Sequence, residues 1–304
     1  MMFDAIIVGG GFAGLSAALQ LARARRSVLL VDAGAPRNRF AASAQGFLGH
    51  DGKPPQQIRA EARQQLARYP TVTFADGAAT AAIQSEGGFL VAIDSVAGER
   101  QERQERGKRL VLATGVRDEL PALPGLAERW GHTVIHCPYC HGYEVAGQPL
   151  GILGGDAMAA HKAAMIPDWG PATLFTQGGE EPAGEQAALL AARGVAIERT
   201  PIVALLGSAP GLDAACLADG RVVPLGALFV SPMTLPASPL AGQLGCAFDD
   251  GPSGPYLRVD ERKQTTVPGV FAAGDAATPM HSATLASAAG MLAGVHAHQS
   301  LVFG

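Results

Sequence analysis

Two cysteines separated by two residues carry the clearest chemistry in this 304-residue chain. In Cys137-Pro138-Tyr139-Cys140, two thiols lie close enough to form and break a disulfide within one helical turn. A cysteine at a helix N-terminus has a lowered thiol pKa, because unpaired backbone N–H groups favour the thiolate. Pro138 suits the first turn of such a helix. The spacing therefore predicts a redox-active pair.

Zinc binding is the alternative interpretation of this pair. His136 and His141 flank it and could complete a set of ligands, whereas Cys216 and Cys246 stand alone in the sequence. A structural zinc site normally has four ligands, so the sequence favours redox chemistry and no metal. We interpret Cys216 and Cys246 as buried apolar residues or idle thiols.

The composition excludes several classes of partner. A net charge of −4 gives no electrostatic reason to expect nucleic acid or an anionic membrane surface. No apolar stretch reaches the length of a membrane span, and the apolar run at the N-terminus stops at glycines after residue 8. We expect a cytoplasmic protein, where thiols are kept reduced and such a pair can cycle.

A strand, a glycine-rich turn and a helix open the chain and predict a dinucleotide site. Residues 3–8 are apolar and lead directly into a G-x-G-x-x-G motif. Gly9 makes the turn, Gly11 lets backbone N–H groups approach a pyrophosphate, and Gly14 lets the helix pack on the strand. A second apolar strand ends at Asp32, whose carboxylate suits the hydroxyl groups of a ribose.

The second half of the chain repeats this pattern with one change. The apolar residues 150–153 lead into Gly154-Gly155-Asp156, where Asp156 replaces the middle glycine of the motif. Its side chain and negative charge stand where a pyrophosphate has to approach the backbone. The next strand ends in residues 176–179, which offer neither an Arg for a 2′-phosphate nor an acid for a ribose. The sequence predicts a degraded NAD(P)-binding unit, and NADPH as a cofactor is doubtful.

The remaining patterns complete an α/β chain. Further strands are predicted over residues 72–74, 89–93, 109–112, 172–175 and 270–272, and a helix over 282–298. We interpret the charged segment 98–108 as a solvated hairpin loop, with a docking patch as the alternative. Prolines mark two candidate crossovers between domains, and these are Pro121 and Pro124, then Pro232, Pro236 and Pro239.

Together these residues resemble the low-molecular-weight thioredoxin reductase family of flavoproteins over nearly the whole chain. The motifs that carry the resemblance occur in the family's order, and they are Gly9–Gly14, Ala113-Thr114-Gly115, Cys137–Cys140 and Gly274-Asp275. The resemblance implies two Rossmann-like domains of the glutathione/thioredoxin reductase type, and a homodimer. A discontinuous FAD domain (1–116 plus 239–304) then receives an inserted domain (117–238) that carries the Cys-x-x-Cys and the degraded unit.

The resemblance also implies FAD as cofactor and a set of residues that bind it. Asp32 is expected on the ribose, Asp275 near the ribityl chain or pyrophosphate, and the helix after Asp275 points its N-terminus at the flavin. The predicted FAD-binding residues are Gly9, Gly11, Gly14, Asp32, Asn38, Thr114, Gly115, Gly274 and Asp275. Lesser candidates are Arg37, Arg39, His50, Asp51 and His281, of which we interpret His281 as an ordinary residue preceding the helix.

The family's chemistry gives the dithiol a direction. The resemblance implies that Cys140 faces the flavin, while Cys137 exchanges with an external dithiol or disulfide on a small molecule or a thioredoxin-like protein. His141 stands where the reductases have a proton-shuttling acid, and imidazole titrates near neutral pH. The string Cys-His-Gly-Tyr-Glu is similar to thioredoxin-reductase-like dithiol oxidases, which pass electrons to oxygen.

The sequence therefore predicts an FAD-dependent thiol/disulfide oxidoreductase that oxidises dithiols without an ordinary NADPH site. Two alternatives stay open. One is an NAD(P)H-dependent disulfide reductase, in which nicotinamide binds in an unorthodox way. The other is a non-catalytic flavin redox sensor, against which the neighbouring His141 argues, because a sensor needs no proton shuttle.

Overall fold

The computed structural model describes residues 2–95 and 102–304. The strands in chain order are β1 (Met2–Val8), β2 (Val28–Asp32), β3 (Val72–Ser85), β4 (Gly88–Ser95), β5 (Glu102–Leu112), β6 (Val116–Glu119), β7 (Val134–Ile135), β8 (Leu150–Leu153), β9 (Ala172–Phe175), β10 (Ala196–Glu198), β11 (Ile202–Leu206), β12 (Ala214–Leu217), β13 (Val222–Pro224), β14 (Ala227–Phe229), β15 (Met233–Pro236), β16 (Phe248–Gly251), β17 (Gly254–Leu257) and β18 (Val270–Ala272). The α-helices are α1 (Phe12–Arg23), α2 (Pro55–Leu66), α3 (Pro138–His141), α4 (Ala157–Met165), α5 (Gly184–Ala192), α6 (Leu240–Gln243) and α7 (Ala283–Phe303).

The described residues divide into two compact units. The first unit consists of residues 2–39, 53–95, 102–117 and 234–304, and the second of residues 40–52 and 118–233. The sequence assigned 40–52 to the first domain, but here this segment groups with the second unit. Its residue Phe40 packs so closely on Gly131 that a Cβ there would lie 2.8 Å from the Phe40 Cβ. The assignment of the units as FAD domain and inserted domain stays a prediction.

The first unit is built on a parallel sheet with the spatial order β3–β2–β1–β5–β18. Strand β4 pairs antiparallel with β3 and with β5. Because the parallel strands point the same way, β1, β2, β5 and β18 all end at one edge, which we call the carboxyl edge of the first sheet. Ligands of open parallel sheets bind at this edge.

Both faces of the first sheet are covered, which explains its continuous apolar strands. On one face, Ile6, Leu110 and Leu112 belong to a buried cluster that includes Leu240. On the other face, Ile7 belongs to a cluster formed with helices α1 and α7. These helices approach so closely that a Cβ on Gly290 of α7 would lie 2.0 Å from the Ala13 carbonyl oxygen of α1. The last helix is therefore an integral part of the first unit.

The second unit contains a parallel sheet in the order β10–β9–β8–β14–β7 and an antiparallel sheet in the order β11–β12–β13. The strand order reverses between β8 and β14, the position at which such sheets bind ligands. The predicted α/β fold with two Rossmann-like units is thus confirmed. Within the described residues, no helix is long and apolar enough to cross a membrane.

The charged segment 98–108 differs from its prediction. Residues 102–108 belong to strand β5 and not to a loop, whereas residues 98–101 lie outside the described residues. The pairing of β5 with β4 opposes Arg106 to Leu90 and Arg103 to Ile93. Arg103 and Arg106 are exposed, so the charges decorate a solvated strand surface. Ladder hydrogen bonds therefore outweigh the loop-like composition of this segment.

Candidate active site

The Cys137–Cys140 disulfide lies at the start of a single helical turn, α3. Cys137 is the N-cap residue and Pro138 is the first residue of the helix. The backbone N–H groups of Cys140 and His141 both donate to the Cys137 carbonyl oxygen, at N···O distances of 3.3 and 3.2 Å. The two Cα atoms are 5.3 Å apart, an ordinary separation for a disulfide. The turn thus holds both sulfurs within bonding distance.

An indole ring supports this turn from below. A Cβ on Gly142 would lie 2.5 Å from the Pro138 carbonyl oxygen and 2.8 Å from the ring of Trp169. Tyr139 meets Trp169 edge-on, with ring centroids 5.7 Å apart, yet its side chain is largely exposed. Tyr143 is also exposed. Glycine is therefore required at position 142, directly after His141, for the helical turn to rest on the indole.

His141 follows the second sulfur and is half-buried. Burial lowers the pKa of its imidazole below the ordinary 6.5, and the nearby charge of His132 lowers it as well, whereas Glu144 opposes the shift. A lowered pKa keeps the ring neutral around pH 7, which is the form that accepts a proton. The environment therefore suits His141 as a base beside the dithiol.

The geometry of the four cysteines does not support the zinc alternative. The sulfurs of Cys137 and Cys140 are bonded to each other. Among residues 2–95 and 102–304, no group of three or more His, Cys, Asp or Glu side chains is arranged for a metal ion. Cys246 is buried, which raises the pKa of its thiol, and its Sγ lies 3.5 Å from the hydroxyl of Thr265. Cys216 is half-buried in β12.

The first glycine-rich turn joins the end of β1 to α1 at the carboxyl edge of the first sheet. A Cβ on Gly9 would lie 2.1 Å from the Ala113 carbonyl oxygen, and one on Gly14 would lie 1.8 Å from the Gly9 carbonyl oxygen. A Cβ on Gly11, in contrast, would meet no atom of the described chain within 4 Å, its sequence neighbours aside. Two glycines therefore serve close packing, while the open side of Gly11 fits an approaching pyrophosphate.

Asp32, the predicted ribose-binding acid, is held by an arginine that the sequence did not reveal. Arg59 of α2 donates from Nη2 to Asp32 Oδ2 (2.7 Å) and from Nε to the Gly10 carbonyl oxygen (3.0 Å). The other Asp32 oxygen accepts the Gly34 N–H at 3.0 Å. The Arg59 and Asp32 side chains are each 15% exposed. Arg59 belongs to no motif and lies 27 residues from Asp32, so only the folded chain shows the contact.

A second arginine reaches the predicted FAD residue Asp275. Gly274 and Asp275 begin the turn after β18, and Gly274 has a φ of +75° that favours glycine. Arg37, which follows β2, places Nη1 3.1 Å from Asp275 Oδ2 and 2.6 Å from His281 Nδ1. His281 precedes α7, as predicted, but the structure also brings it into this three-residue cluster.

The other predicted FAD residues keep their roles as predictions. Thr114 and Gly115 follow β5 at the carboxyl edge. Gly115 has a φ of +66°, and a Cβ placed there would meet no atom of the described chain within 4 Å, apart from its sequence neighbours. Asn38 is half-buried in the 3-10 turn that also contains Arg37. Asp51 accepts a hydrogen bond from the Gly46 N–H (2.7 Å) and so closes a turn of its own segment.

In the second glycine-rich turn, an aspartate side chain bonds to the backbone of the helix that follows. Asp156 is the N-cap residue of α4, and its Oδ1 accepts the Ala159 N–H at 2.7 Å. A Cβ on Gly155 would lie 3.0 Å from the Thr176 carbonyl oxygen, so the loop after β9 covers this turn. At the end of β9, Gln177 Oε1 accepts the Ile202 N–H at 2.7 Å. The Ala159 N–H and the Gln177 side chain are thus already bonded within the protein.

A buried lysine lies at the point where the second sheet reverses its strand order. Lys162 of α4 is 8% exposed, and its Nζ donates to the Val230 carbonyl oxygen (2.7 Å) and to Ser231 Oγ (2.8 Å). Burial lowers the pKa of Lys162 from 10.5 to about 8, against the opposing effect of the Asp156 carboxylate. The lysine therefore ties α4 to the chain that leaves β14.

Comparison with known proteins agrees with this fold. The family model described as "Pyridine nucleotide-disulphide oxidoreductase" matches residues 3–291. A relative named "Thioredoxin reductase tcpT" from Claviceps purpurea is 33% identical, covering 98% of this chain and 94% of the relative. The crystal structure of an oxidoreductase from Agrobacterium tumefaciens is 50% identical with a TM-score of 0.92, covering 100% of this chain and 99% of that chain. The crystal structure of HlmI is 36% identical with a TM-score of 0.88, covering 99% of this chain and 93% of that chain.

A Rossmann-like fold with a Cys-x-x-Cys disulfide and a glycine-rich cofactor turn defines a class of flavoproteins that exchange electrons with thiols. The chain belongs to the pyridine nucleotide-disulphide oxidoreductase family and resembles its thioredoxin reductases. It is an FAD-dependent disulfide oxidoreductase. The open side of Gly11 fits this cofactor. Asp32 ends β2 and Asp275 follows β18 in the same sheet, and their contact with FAD stays a prediction.

Proposed function

We propose that this enzyme oxidises a dithiol substrate to a disulfide and passes the electrons to oxygen without using a nicotinamide cofactor. The single observation that carries the proposal is the Asp156 carboxylate at the N-terminus of α4. A pyrophosphate at this position would have to displace that carboxylate from the Ala159 N–H and would meet its negative charge. Supporting it, Gln177 already binds the backbone at the strand end that would face a ribose.

The chemistry balances as a two-electron, two-proton transfer. One substrate thiolate attacks Cys137, the Cys137–Cys140 bond breaks, and Cys140 leaves as a thiolate. The second substrate thiol then displaces Cys137, so the substrate becomes a disulfide and the enzyme pair a dithiol. His141 takes the proton of an incoming thiol. FAD supplies the acceptor of the two electrons from the dithiol, and oxygen in turn receives them with two protons as hydrogen peroxide.

A second candidate function is NAD(P)H-dependent reduction of a disulfide, on a small molecule or a thioredoxin-like protein. The names of relatives, such as "Thioredoxin reductase aclD" from Aspergillus oryzae at 30% identity over 99% of this chain, favour it. It requires a nicotinamide cofactor to bind despite Asp156 and Gln177.

Anaerobic reduction of the bound flavin separates the two functions. The oxidised holoenzyme is mixed with NADPH, with NADH or with dithiothreitol, and the flavin absorbance near 450 nm is followed before oxygen is admitted. We expect bleaching by dithiothreitol alone, followed by reoxidation in air with stoichiometric peroxide. A Cys140→Ser variant is the matched control, and it should retain FAD but not bleach with the dithiol.

Rapid bleaching by NADPH or NADH would establish the reductase and remove the proposal. Bleaching by dithiothreitol in the Cys140→Ser variant would show that electrons bypass the disulfide, which also contradicts the proposed route. Failure of dithiothreitol to bleach the wild-type enzyme would contradict it in a third way.

A further inference from the structure

The contact between Arg37 and Asp275 joins the segment that follows β2 to the segment that follows β18. Arg37 follows β2 and Asp275 follows β18, and strands β1 and β5 lie between them in the order β2–β1–β5–β18. Three strand spacings amount to about 14 Å. The pair therefore links two segments that leave the carboxyl edge on either side of β1 and β5, the strands followed by Gly9–Gly14 and residues 113–115.

Two contacts of Arg37 position its guanidinium. The side chains of Arg37 and Asp275 are 16% and 20% exposed, so the ion pair is shielded from bulk water. Arg37 Nη1 contacts Asp275 Oδ2 at 3.1 Å and His281 Nδ1 at 2.6 Å. Because a guanidinium can only donate, His281 Nδ1 is the acceptor when this contact is a hydrogen bond.

The negative charges of the site explain why a cation is useful beside Asp275. FAD carries a negatively charged pyrophosphate, and Asp275 adds another negative charge at the same edge of the sheet. Two anions in a partly buried site repel each other unless a cation lies between or beside them. Arg37 is the cation that contacts Asp275 directly, and a planar guanidinium also suits phosphate oxygens.

We propose that Arg37 retains FAD by offsetting the charge of Asp275 across the carboxyl edge, and that His281 is the positioning residue that holds the guanidinium in place. The cofactor concerned is the FAD of this enzyme class. Nothing in the proposal depends on the electron acceptor or on NADPH, so it stands or falls separately from the proposed function.

The first test measures FAD affinity of the apoprotein by quenching of flavin fluorescence. Arg37→Met removes the charge, and we expect the Kd for FAD to rise about tenfold or more. Arg37→Lys keeps a charge without the planar fork and should give a smaller increase. Arg63→Met is the control, because Arg63 of α2 pairs with the exposed Asp76 and belongs to no predicted site, and its Kd should stay within about twofold of wild type.

The second test asks whether Arg37 acts through the charge of Asp275. In an Asp275→Asn background the Arg37→Met change should raise the Kd by a clearly smaller factor than in the wild-type background. His281→Asn, whose amide oxygen can replace Nδ1 as acceptor, should bind FAD nearly normally, whereas His281→Ala should bind it more weakly. A purely structural role of His281 would not distinguish these variants in FAD affinity at equal apoprotein stability.

Circular dichroism and thermal unfolding of each apoprotein establish that the variants are folded. If Arg37→Met is unfolded, Arg37→Lys and the two His281 variants carry the same test. The proposal is overturned if folded Arg37→Met binds FAD within about twofold of wild type, or if the effect of Arg37→Met is equally large in the Asp275→Asn background. Equal FAD affinity of His281→Asn and His281→Ala would remove the positioning role.

Discussion

At the scale of single residues, His141 is the proposed base beside the dithiol. Burial and the charge of His132 lower its pKa below 6.5, and Glu144 raises it, so its neutral form dominates around pH 7. A base of this kind contributes about 10²-fold to a proton-transfer step. We expect His141→Asn to slow flavin reduction by dithiothreitol about 10²-fold while leaving the FAD content unchanged, as measured by anaerobic stopped-flow absorbance.

The pH profile of the same reaction tests the environment of His141. In the wild type the rate should rise with pH along a limb that lies below pH 6.5. Glu144→Gln removes a charge that raises the pKa, so the limb should move to lower pH. His132→Gln removes a charge that lowers the pKa, so the limb should move to higher pH. A limb that stays in place in both variants would assign it to another group.

Arg59 offers a second test at the scale of single residues, because it holds the acid expected on the FAD ribose. Arg59→Met removes two hydrogen bonds, to Asp32 and to the Gly10 carbonyl, and leaves a partly buried carboxylate without its cation. We expect the Kd for FAD to rise about tenfold. Arg63→Met is the control, since Arg63 lies one turn later on α2 and pairs with the exposed Asp76. An equal effect of both substitutions would point to general damage to α2.

Sequence alone could reveal the functional residues that lie close together in the chain. The Cys137–Cys140 spacing and the glycine turn Gly9–Gly14 are local, because one turn of chain has to bring their atoms together. Arg37 and Asp275 are 238 residues apart, and their contact depends on the order of strands in the sheet. No pattern in the sequence encodes that proximity, so the interpretation of His281 as an ordinary residue preceding a helix missed its contact with Arg37.

At the scale of elements, α4 differs from an ordinary nucleotide-binding helix in carrying charges at its start and along its buried side. Lys162 is deprotonated more easily in the folded chain, with a pKa of about 8 against 10.5 when exposed. The unfolded chain therefore binds more protons than the folded chain between these values, so this residue's contribution to stability is complete above pH 10.5 and is lost as pH falls to about 8. The loss amounts to about 3 kcal/mol.

Replacement of the lysine tests this linkage. In Lys162→Met the rise in unfolding free energy between pH 8 and 10.5 should be smaller than in the wild type, as measured by urea unfolding across this range. Lys53→Met is the control, because Lys53 is a half-buried lysine paired with Glu61 in the first unit. Asp156→Asn keeps a good N-cap but removes the charge that raises the Lys162 pKa, and should lower that pKa further. A pH profile of Lys162→Met parallel to that of the wild type would contradict the assignment.

Strands were predictable from the sequence where both faces of their sheet are covered, because such strands are continuously apolar. The apolar strands that became β1, β2 and β5 could be recognised because both faces of their sheet are covered. The failure at residues 102–108 has a different cause. This part of β5 is a solvated strand held by pairing with β4. Its charged residues show no alternation with apolar residues from which a strand could be recognised.

At the scale of the whole molecule, the repeated strand–glycine–helix pattern predicted two Rossmann-like units, and the fold confirms them. The segment 40–52 could not be assigned from sequence, because its grouping with the second unit rests on contacts such as that between Phe40 and Gly131. Its position in the chain, between β2 and α2, indicated only the first unit. Chain order therefore predicts the nesting of the units but not every connection that belongs to each.

The nesting leads to a prediction about which unit does what. The first unit contains the glycine turn, Asp32 and Asp275. The segments on either side of residues 118–233 lie close together, since the Ala237 N–H donates to the Gly115 carbonyl oxygen at 3.3 Å. A chain in which residues 118–233 are replaced by a short Gly/Ser linker should therefore close without strain and bind FAD with a flavin absorbance spectrum. Its flavin should not be bleached by dithiothreitol, because the chain lacks Cys137 and Cys140.

The full-length Cys137→Ser/Cys140→Ser variant controls for loss of the dithiol alone, and its flavin should behave the same way. A folded excision variant that fails to bind FAD would show that residues 118–233 contribute to the cofactor site, and bleaching by the dithiol would show a second route for electrons into the flavin.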